Sequence, residues 1–189
     1  MMSDPFIDHD PKARPHLIPR QLAPENQETP IHHIDGPFVP NHLFYRRNHF
    51  PYPFLSDSSF LLPIGGAVRN PIVFSYDELK KMPSKELVMT LECAGNRRDD
   101  FRPKVFGEQW TNGAINHGVW KGVPLKMLLE KTGLTAEAKE VVFTGYDYGK
   151  RPDMKEPVSF ARSLPLEKAL DQDTLIAYEY NGNPLTFKH

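Results

Sequence analysis

The chain has 189 residues, a length that suits one domain or one domain plus an arm, and its 23 basic and 24 acidic side chains leave a formal net charge of −1. Bulk charge therefore gives no reason to expect a nucleic-acid or membrane-surface partner. The single cysteine excludes an internal disulfide framework and any paired-cysteine zinc or iron–sulfur pattern, and no apolar run approaches the ~20 residues needed to span a bilayer.

Of 19 prolines, 10 fall before residue 54. Proline removes amide donors and fixes φ, so residues 1–42 are expected to form an irregular or extended arm ahead of a domain at 43–189. The polar start lacks a secretory apolar segment, which makes a cytoplasmic protein the expectation. Six of eight histidines lie early, at His9, His16, His32, His33, His42 and His49. Their spacing is irregular and matches no recognised zinc pattern. Residues 43–51 then pack Phe44, Tyr45, Arg46, Arg47, Asn48 and His49 together. Guanidinium forks bind oxyanions bidentately, and amide and imidazole groups add directional bonds. This stretch reads either as an anion cradle or as a solvated basic turn beside a core aromatic.

Residues 59–68 read as a strand softened by Gly65-Gly66, and Asn70-Pro71 is a turn signal. Ser75-x-x-Glu78 is a capping box that opens a short helix through Lys81, which Pro83 ends. Residues 87–92 form a strand whose alternation puts Leu87, Met89, Leu91 and Cys93 on one face, the expected inner one. Ala94-Gly95-Asn96 lets the chain turn sharply, and Arg97-Arg98 follow. A lone cysteine is commonly a small buried hydrophobe. Here it stands at a strand end beside fixed positive charge, which in general favours the thiolate that ligates metals.

Residues 99–117 read as loop, with Trp110 either a cap over that loop or an N–H donor. Residues 120–125 lead into a helix with Pro124 in its first turn, a Leu125, Leu128, Leu129 stripe facing the core, and Gly133 past its end. Strands are expected at 140–145, 158–164 and 174–180, a helical turn at 165–170, and a chain reversal at Asn181-Gly182-Asn183. Asp147 follows the first of these strands and is either a turn cap or an acceptor. No βαβ repeat and no Gly-x-Gly-x-x-Gly appears, so a doubly wound nucleotide fold is not expected; the pattern is mixed α+β.

The run Glu92-Cys93-Ala94-Gly95-Asn96-Arg97-Arg98 resembles the molybdenum-binding loop of the sulfite oxidase family. Phe44-x-x-Arg47-Asn48-His49 resembles that family's Phe-x-x-Arg-Asn-His element. The resemblance covers about residues 44–189 and implies a mostly β, mixed α+β molybdopterin-binding domain with short helices and long loops. It implies a molybdenum molybdopterin cofactor with Cys93 as the one protein ligand to the metal. It further implies that Tyr45, Arg46, Arg47, Asn48, His49, Asp147 and His189 contact the cofactor, and that Arg47, Arg98 and Trp110 serve the substrate oxyanion.

The implied reaction is oxygen-atom transfer to or from a small anion, sulfite to sulfate, with a cytochrome or oxygen as electron acceptor. The alternatives are a sulfoxide reductase of the same family and a truncated, cofactor-free fragment. The family continues past His189 with further strands and a dimerisation domain, so a homodimer is expected only if the full-length protein carries that domain. A cysteine-nucleophile hydrolase with His117 or His49 as base has no recognised motif behind it.

Overall fold

A computed structural model describes residues 16–151 and 154–189; the first fifteen residues of the arm, His9 among them, lie outside the described residues. Within the proline-rich segment, β1 (Ile18–Leu22) and β2 (Glu25–Glu28) pair as an antiparallel ribbon. Pro24 sits in its turn and Pro19 beside a register shift, places where a missing amide interrupts no ladder. Short 3-10 turns at Ile31–His33 and Asn41–Leu43 carry the chain to the Phe44 segment.

Two hairpin-like pairs and one larger sheet follow. β3 (Leu61–Ile64) pairs with β4 (Ile72–Ser75), shorter than the strand read over 59–68. Helix α1 (Tyr76–Lys81) opens on the predicted capping box: Ser75 Oγ accepts from Glu78 N–H at 3.2 Å, and Ser75 N–H donates to Glu78 Oε2 at 2.8 Å. β5 (Lys85–Glu92) then forms the edge of a four-stranded antiparallel sheet. Its partner is β6 (Ile115–Pro124), which passes directly into helix α2 (Leu125–Thr132). β7 (Glu140–Gly149) pairs with β8 (Val158–Pro165), and helix α3 (Leu166–Ala169) follows. β9 (Leu175–Tyr180) and β10 (Asn183–Pro184) complete the sheet in the order β10-β9-β6-β5. The result is the mostly β, mixed α+β fold expected.

Two expectations are corrected. Residues 115–124, read as the end of a loop and a helix lead-in, form a central strand. Its pattern is masked by Gly118 and Gly122, where apolar alternation would be looked for. A Cβ on Gly118 would lie 2.5 Å from the Tyr180 ring, and one on Gly122 would strike the β9 backbone. Glycine is what allows this close approach. Second, Met89 and Leu91 do not lie inward: each is 41% exposed. They sit on the edge strand, paired on one side only, and the covered part of their face is the Leu87–Trp120 end.

The apolar core is built around α2. Leu128 packs with Phe74, Leu79, Val123 and Tyr178 on one side. Leu125 and Leu129 pack with Ala169 and partly buried Val141, Phe143 and Leu164 on the other. All three stripe leucines are buried, each contributing about 1.5–3 kcal/mol relative to exposure. α2 thus ties β3–β4, the main sheet and β7–β8 into one scaffold, against which the loops bearing the candidate residues are held. No helix among the described residues is long and apolar enough to cross a membrane.

Candidate functional site

Five of the predicted residues come together around one hollow. Arg47, Asn48, His49, Asp147 and His189 line a cavity of about 390 Å³, with Tyr52, Tyr146, Phe160 and Phe187 among its other walls. They arrive from three separate segments. Residues 47–49 follow the Phe44 segment, Asp147 stands in a register shift of β7 between Thr144 and Tyr148, and His189 follows β10. A shift of this kind re-aims a side chain that regular pleating would send elsewhere.

The cavity wall carries one guanidinium, Arg47, one carboxylate, Asp147, and two imidazoles. His49 stacks on Phe160 at 4.8 Å, and Arg47 Nη2 lies 3.4 Å from His49 Nδ1. Burial, and then the Arg47 guanidinium, hold the His49 imidazole below its ordinary pKa. It is therefore a neutral group near pH 7, able to accept from Arg47. Burial pushes His189 down to about 4, with Arg46 adding to the effect. Thr186 N–H donates to His189 Nδ1 at 3.0 Å, which puts the ring proton on Nε2. Phe44 stands edge-on to that ring at 4.8 Å and fixes its plane.

Cys93 lies in a neighbouring cluster rather than in the cavity wall. It is half-buried against Tyr45, Trp110 and Ala114. Its N–H donates to Ala114 O at 2.9 Å, so it continues the β5–β6 ladder by one pair, and Gly95 N–H points at its sulfur at 3.5 Å. Tyr45 links the two places, since residues 45–49 run from this cluster to the cavity. The Tyr45 hydroxyl is pushed up to about 12 by burial, helped by Cys93 and Glu92, and so stays protonated.

The arginines divide their work. Arg97 adopts φ 61° and pairs with Asp100 on the surface. Arg98 folds back over its own turn, donating to Glu108 O at 3.1 Å and lying where a Cβ on Gly95 or Gly107 would be. Arg46 is bound by Glu25 and Gln27 and faces a narrow cleft beside His189, Phe44 and Thr186. Thus the structure joins Arg47, Asn48, His49, Asp147 and His189, and separately joins Cys93, Tyr45 and Trp110. Arg98 does not line the cavity; its guanidinium lies against Gly95 in the turn that follows Cys93.

Sequence reasoning passed over Asn116. It stands opposite Leu91, one pleat along from the Cys93–Ala114 pair on the same sheet face. It is 1% exposed, and neither of its amide atoms has a hydrogen-bond partner; the Nε1 of fully buried Trp110 has none either. A sealed polar atom without a partner costs about 1–3 kcal/mol, and natural folds rarely leave one without a reason. Alternation along 115–124 would have exposed Asn116 had that stretch been read as a strand. Molybdopterin, the cofactor implied by the resemblance, fits this donor set. A soft sulfur suits the metal, buried N–H donors stand beside it, and arginine, imidazole and carboxylate groups line an adjoining cavity large enough for a heterocycle.

Comparison with known proteins agrees. A family model described as the oxidoreductase molybdopterin binding domain matches residues 49–189. Mitochondrial sulfite oxidase of Mus musculus is 36% identical over 99% of this chain, and sulfite oxidase of Gallus gallus 36% over 98%. An NADH nitrate reductase of Solanum lycopersicum is 35% identical over 88%. The chain spans 35%, 41% and 19% of those relatives. The solved sulfane dehydrogenase SoxCD of Paracoccus pantotrophus superimposes with a TM-score of 0.74 at 27% identity, over 96% of this chain and 48% of that one. On the extent of the family match and the agreement in fold, the chain belongs to the oxidoreductase molybdopterin-binding domain family.

Proposed function

We propose that the chain binds molybdenum molybdopterin between the Cys93 cluster and the Arg47–His189 cavity, and that it serves oxygen-atom transfer with sulfite as the substrate. The observation that carries this reading is the convergence of Arg47, Asn48, His49, Asp147 and His189 on one cavity from three segments. When bound, the cofactor supplies a two-electron redox centre that exchanges an oxo group with a small anion. Everything else falls to the chain.

Cys93, positioned by the ladder bond to Ala114, would hold the metal through its sulfur. Asp147 would accept paired N–H groups of the pterin ring, and His189, with its ring proton on Nε2, would donate to it. Arg47 draws the oxyanion in. In a site screened from water, a guanidinium stabilises a doubly charged anion far more than it would in bulk solvent. Trp110 Nε1 adds a neutral donor. In the overall reaction sulfite gains one oxygen from water, and two electrons and two protons leave. The electrons pass to an external acceptor, a cytochrome or oxygen. Sulfite is favoured over other anions by the sulfite oxidases matched across nearly the whole chain. Nitrate is the second reading, favoured by the nitrate reductase match.

The test is metal and pterin analysis of the chain purified from a host that makes the cofactor, followed by turnover with sulfite, nitrate and a sulfoxide. About one molybdenum per chain, pterin fluorescence on release and sulfite-dependent acceptor reduction are expected. A folded chain carrying neither metal nor pterin overturns the cofactor reading. Turnover of nitrate or sulfoxide but not sulfite overturns the substrate.

A further inference from the structure

The β1–β2 ribbon lies ahead of the matched family region, yet its inward side chains hold both halves of the site. Asn26 and Glu28 are each 0% exposed. Asn26 Oδ1 accepts from Asn48 N–H at 2.6 Å, and its Nδ2 donates to Glu108 Oε1 at 3.2 Å. Asn48 returns a bond from Nδ2 to Glu25 O at 2.6 Å. Gln27 and Arg46 exchange backbone bonds of 3.0 and 2.8 Å, so the segment entering the cavity is a short third strand of the ribbon.

Two residues further on, Glu28 reaches the other half. Its carboxylate accepts from Thr111 N–H at 2.9 Å, from the Thr111 hydroxyl and from Arg20 Nε at 2.9 Å. Arg20 also donates to Thr111 Oγ1 at 2.8 Å. Thr111 directly follows Trp110. Glu108, the partner of Asn26, lends its carbonyl to Arg98.

A buried carboxylate is tolerated only when its lone pairs are taken up. Part of that load is taken by the ribbon's own Arg20; the partners outside the ribbon, Asn48, Glu108 and Thr111, all belong to the segments carrying Arg47, Asn48, Trp110 and Arg98, not to the apolar scaffold around α2. Alternation does the rest: Asn26 and Glu28 share one face of β2, so one strand fixes two loops more than 60 residues apart in the chain.

We propose that Asn26 and Glu28 are positioning residues, which set the Arg47–His49 segment and the Trp110 loop in register with each other across the cofactor site. This rests on the cofactor reading above. Neither residue touches the cavity; they act through Asn48 and Thr111.

The experiment is amide hydrogen exchange on the cofactor-free chain, paired with pterin content and steady-state kinetics of the loaded protein, for Asn26→Ala and Glu28→Gln. Asn26→Ala is expected to speed exchange at the Asn48 amide while the α2 amides stay at wild-type rates. Pterin retention should fall about 10–100-fold, the range for losing a partner that orients a ligand residue. Glu28→Gln keeps shape but leaves one carbonyl where two carboxylate oxygens served four donors, two from Arg20 and two from Thr111. It is expected to speed exchange over residues 108–113 and to raise the sulfite KM more than it lowers kcat.

Uniform loss of protection, α2 included, would show a merely structural role and overturn the proposal. So would wild-type pterin retention and KM in both variants. If Asn26→Ala does not fold, Glu28→Gln alone decides on the same criteria. A wild-type chain that holds no pterin would sink the cofactor reading instead, while the two exchange patterns would still decide whether the ribbon fixes these loops.

Discussion

Two buried regions of this protein are built on opposite terms. Around α2 the interior is aliphatic and aromatic, with Leu128, Val123 and Phe74 in contact and the polar ends of α1 capped. Around Cys93 the interior mixes the rings of Tyr45 and Trp110 with polar groups. It holds an unpartnered indole N–H, an unpartnered amide on Asn116, and Gly95 and Gly107 pressed against a guanidinium. Arg97 nearby takes a left-handed backbone conformation that costs a side chain of its kind energy. The first region only stabilises the fold; the second also carries unpartnered polar atoms and a strained backbone, and natural sequences break local rules of this sort chiefly where a ligand is to be received.

The largest expected effect separates the two regions completely. Cys93→Ser replaces a soft sulfur with a hard hydroxyl in a half-buried site, so packing barely changes while the proposed protein ligand to the metal is lost. The variant should melt near the wild-type temperature and show only background sulfite turnover. Turnover with bound metal would remove Cys93 as the ligand. Leu128→Ala is the reverse case: a fully buried side chain far from the donors, whose truncation costs about 2–5 kcal/mol. Denaturant titration should show that loss, with the sulfite KM of the folded fraction unchanged. A changed KM would mean that the scaffold and the site are not separable.

How much of this was legible beforehand follows the same division. The α2 helix could be read because its signals are local: Pro124 before it, leucines at helical spacing, and Gly133 after it in a left-handed C-cap. The Ser75 box could be read for the same reason. The five cavity residues came from resemblance, since nothing in the spacing of Asp147 or His189 says that they meet. β6 was missed because Gly118 and Gly122 stand where packing from Tyr180 and β9, both more than 50 residues away, forbids a side chain. The β1–β2 ribbon was missed because prolines signal irregularity until one sees that they occupy its turn and its register shift. Met89 and Leu91 were placed inward because alternation gives a face but not what covers it.

A smaller effect sharpens the contrast through pH. Burial holds His189 neutral, at about 4 in the fold against an ordinary value near 6.5. Between these two values the unfolded chain binds a proton that the folded chain refuses, so stability rises with pH across that window. The contribution is therefore fully present above about 6.5 and is lost as pH falls toward 4. His49, pushed down by burial and Arg47, adds in the same direction. Denaturation midpoints of the cofactor-free chain should fall as pH drops from 7 to 4.5. His189→Gln should flatten that dependence by close to one proton. An unchanged slope would mean that the His189 imidazole is not sheltered from water.

The smallest effect tests the scaffold where it is most conventional. Ser75 caps α1 and exchanges bonds with Glu78, in an exposed turn away from the cavity. Removing the hydroxyl in Ser75→Ala leaves the Glu78 amide to water and should cost about 1 kcal/mol. For a chain of this size, that lowers the melting temperature by about 2–4 °C. Because Leu79 on α1 reaches the same core as α2, a shift much larger than this would mean that fraying the cap loosens the packing of Leu79 against Leu128. Pterin content and sulfite KM should stay at wild-type values in either event, because the segments that bear the donors are tied to the β1–β2 ribbon and to β6, not to α1.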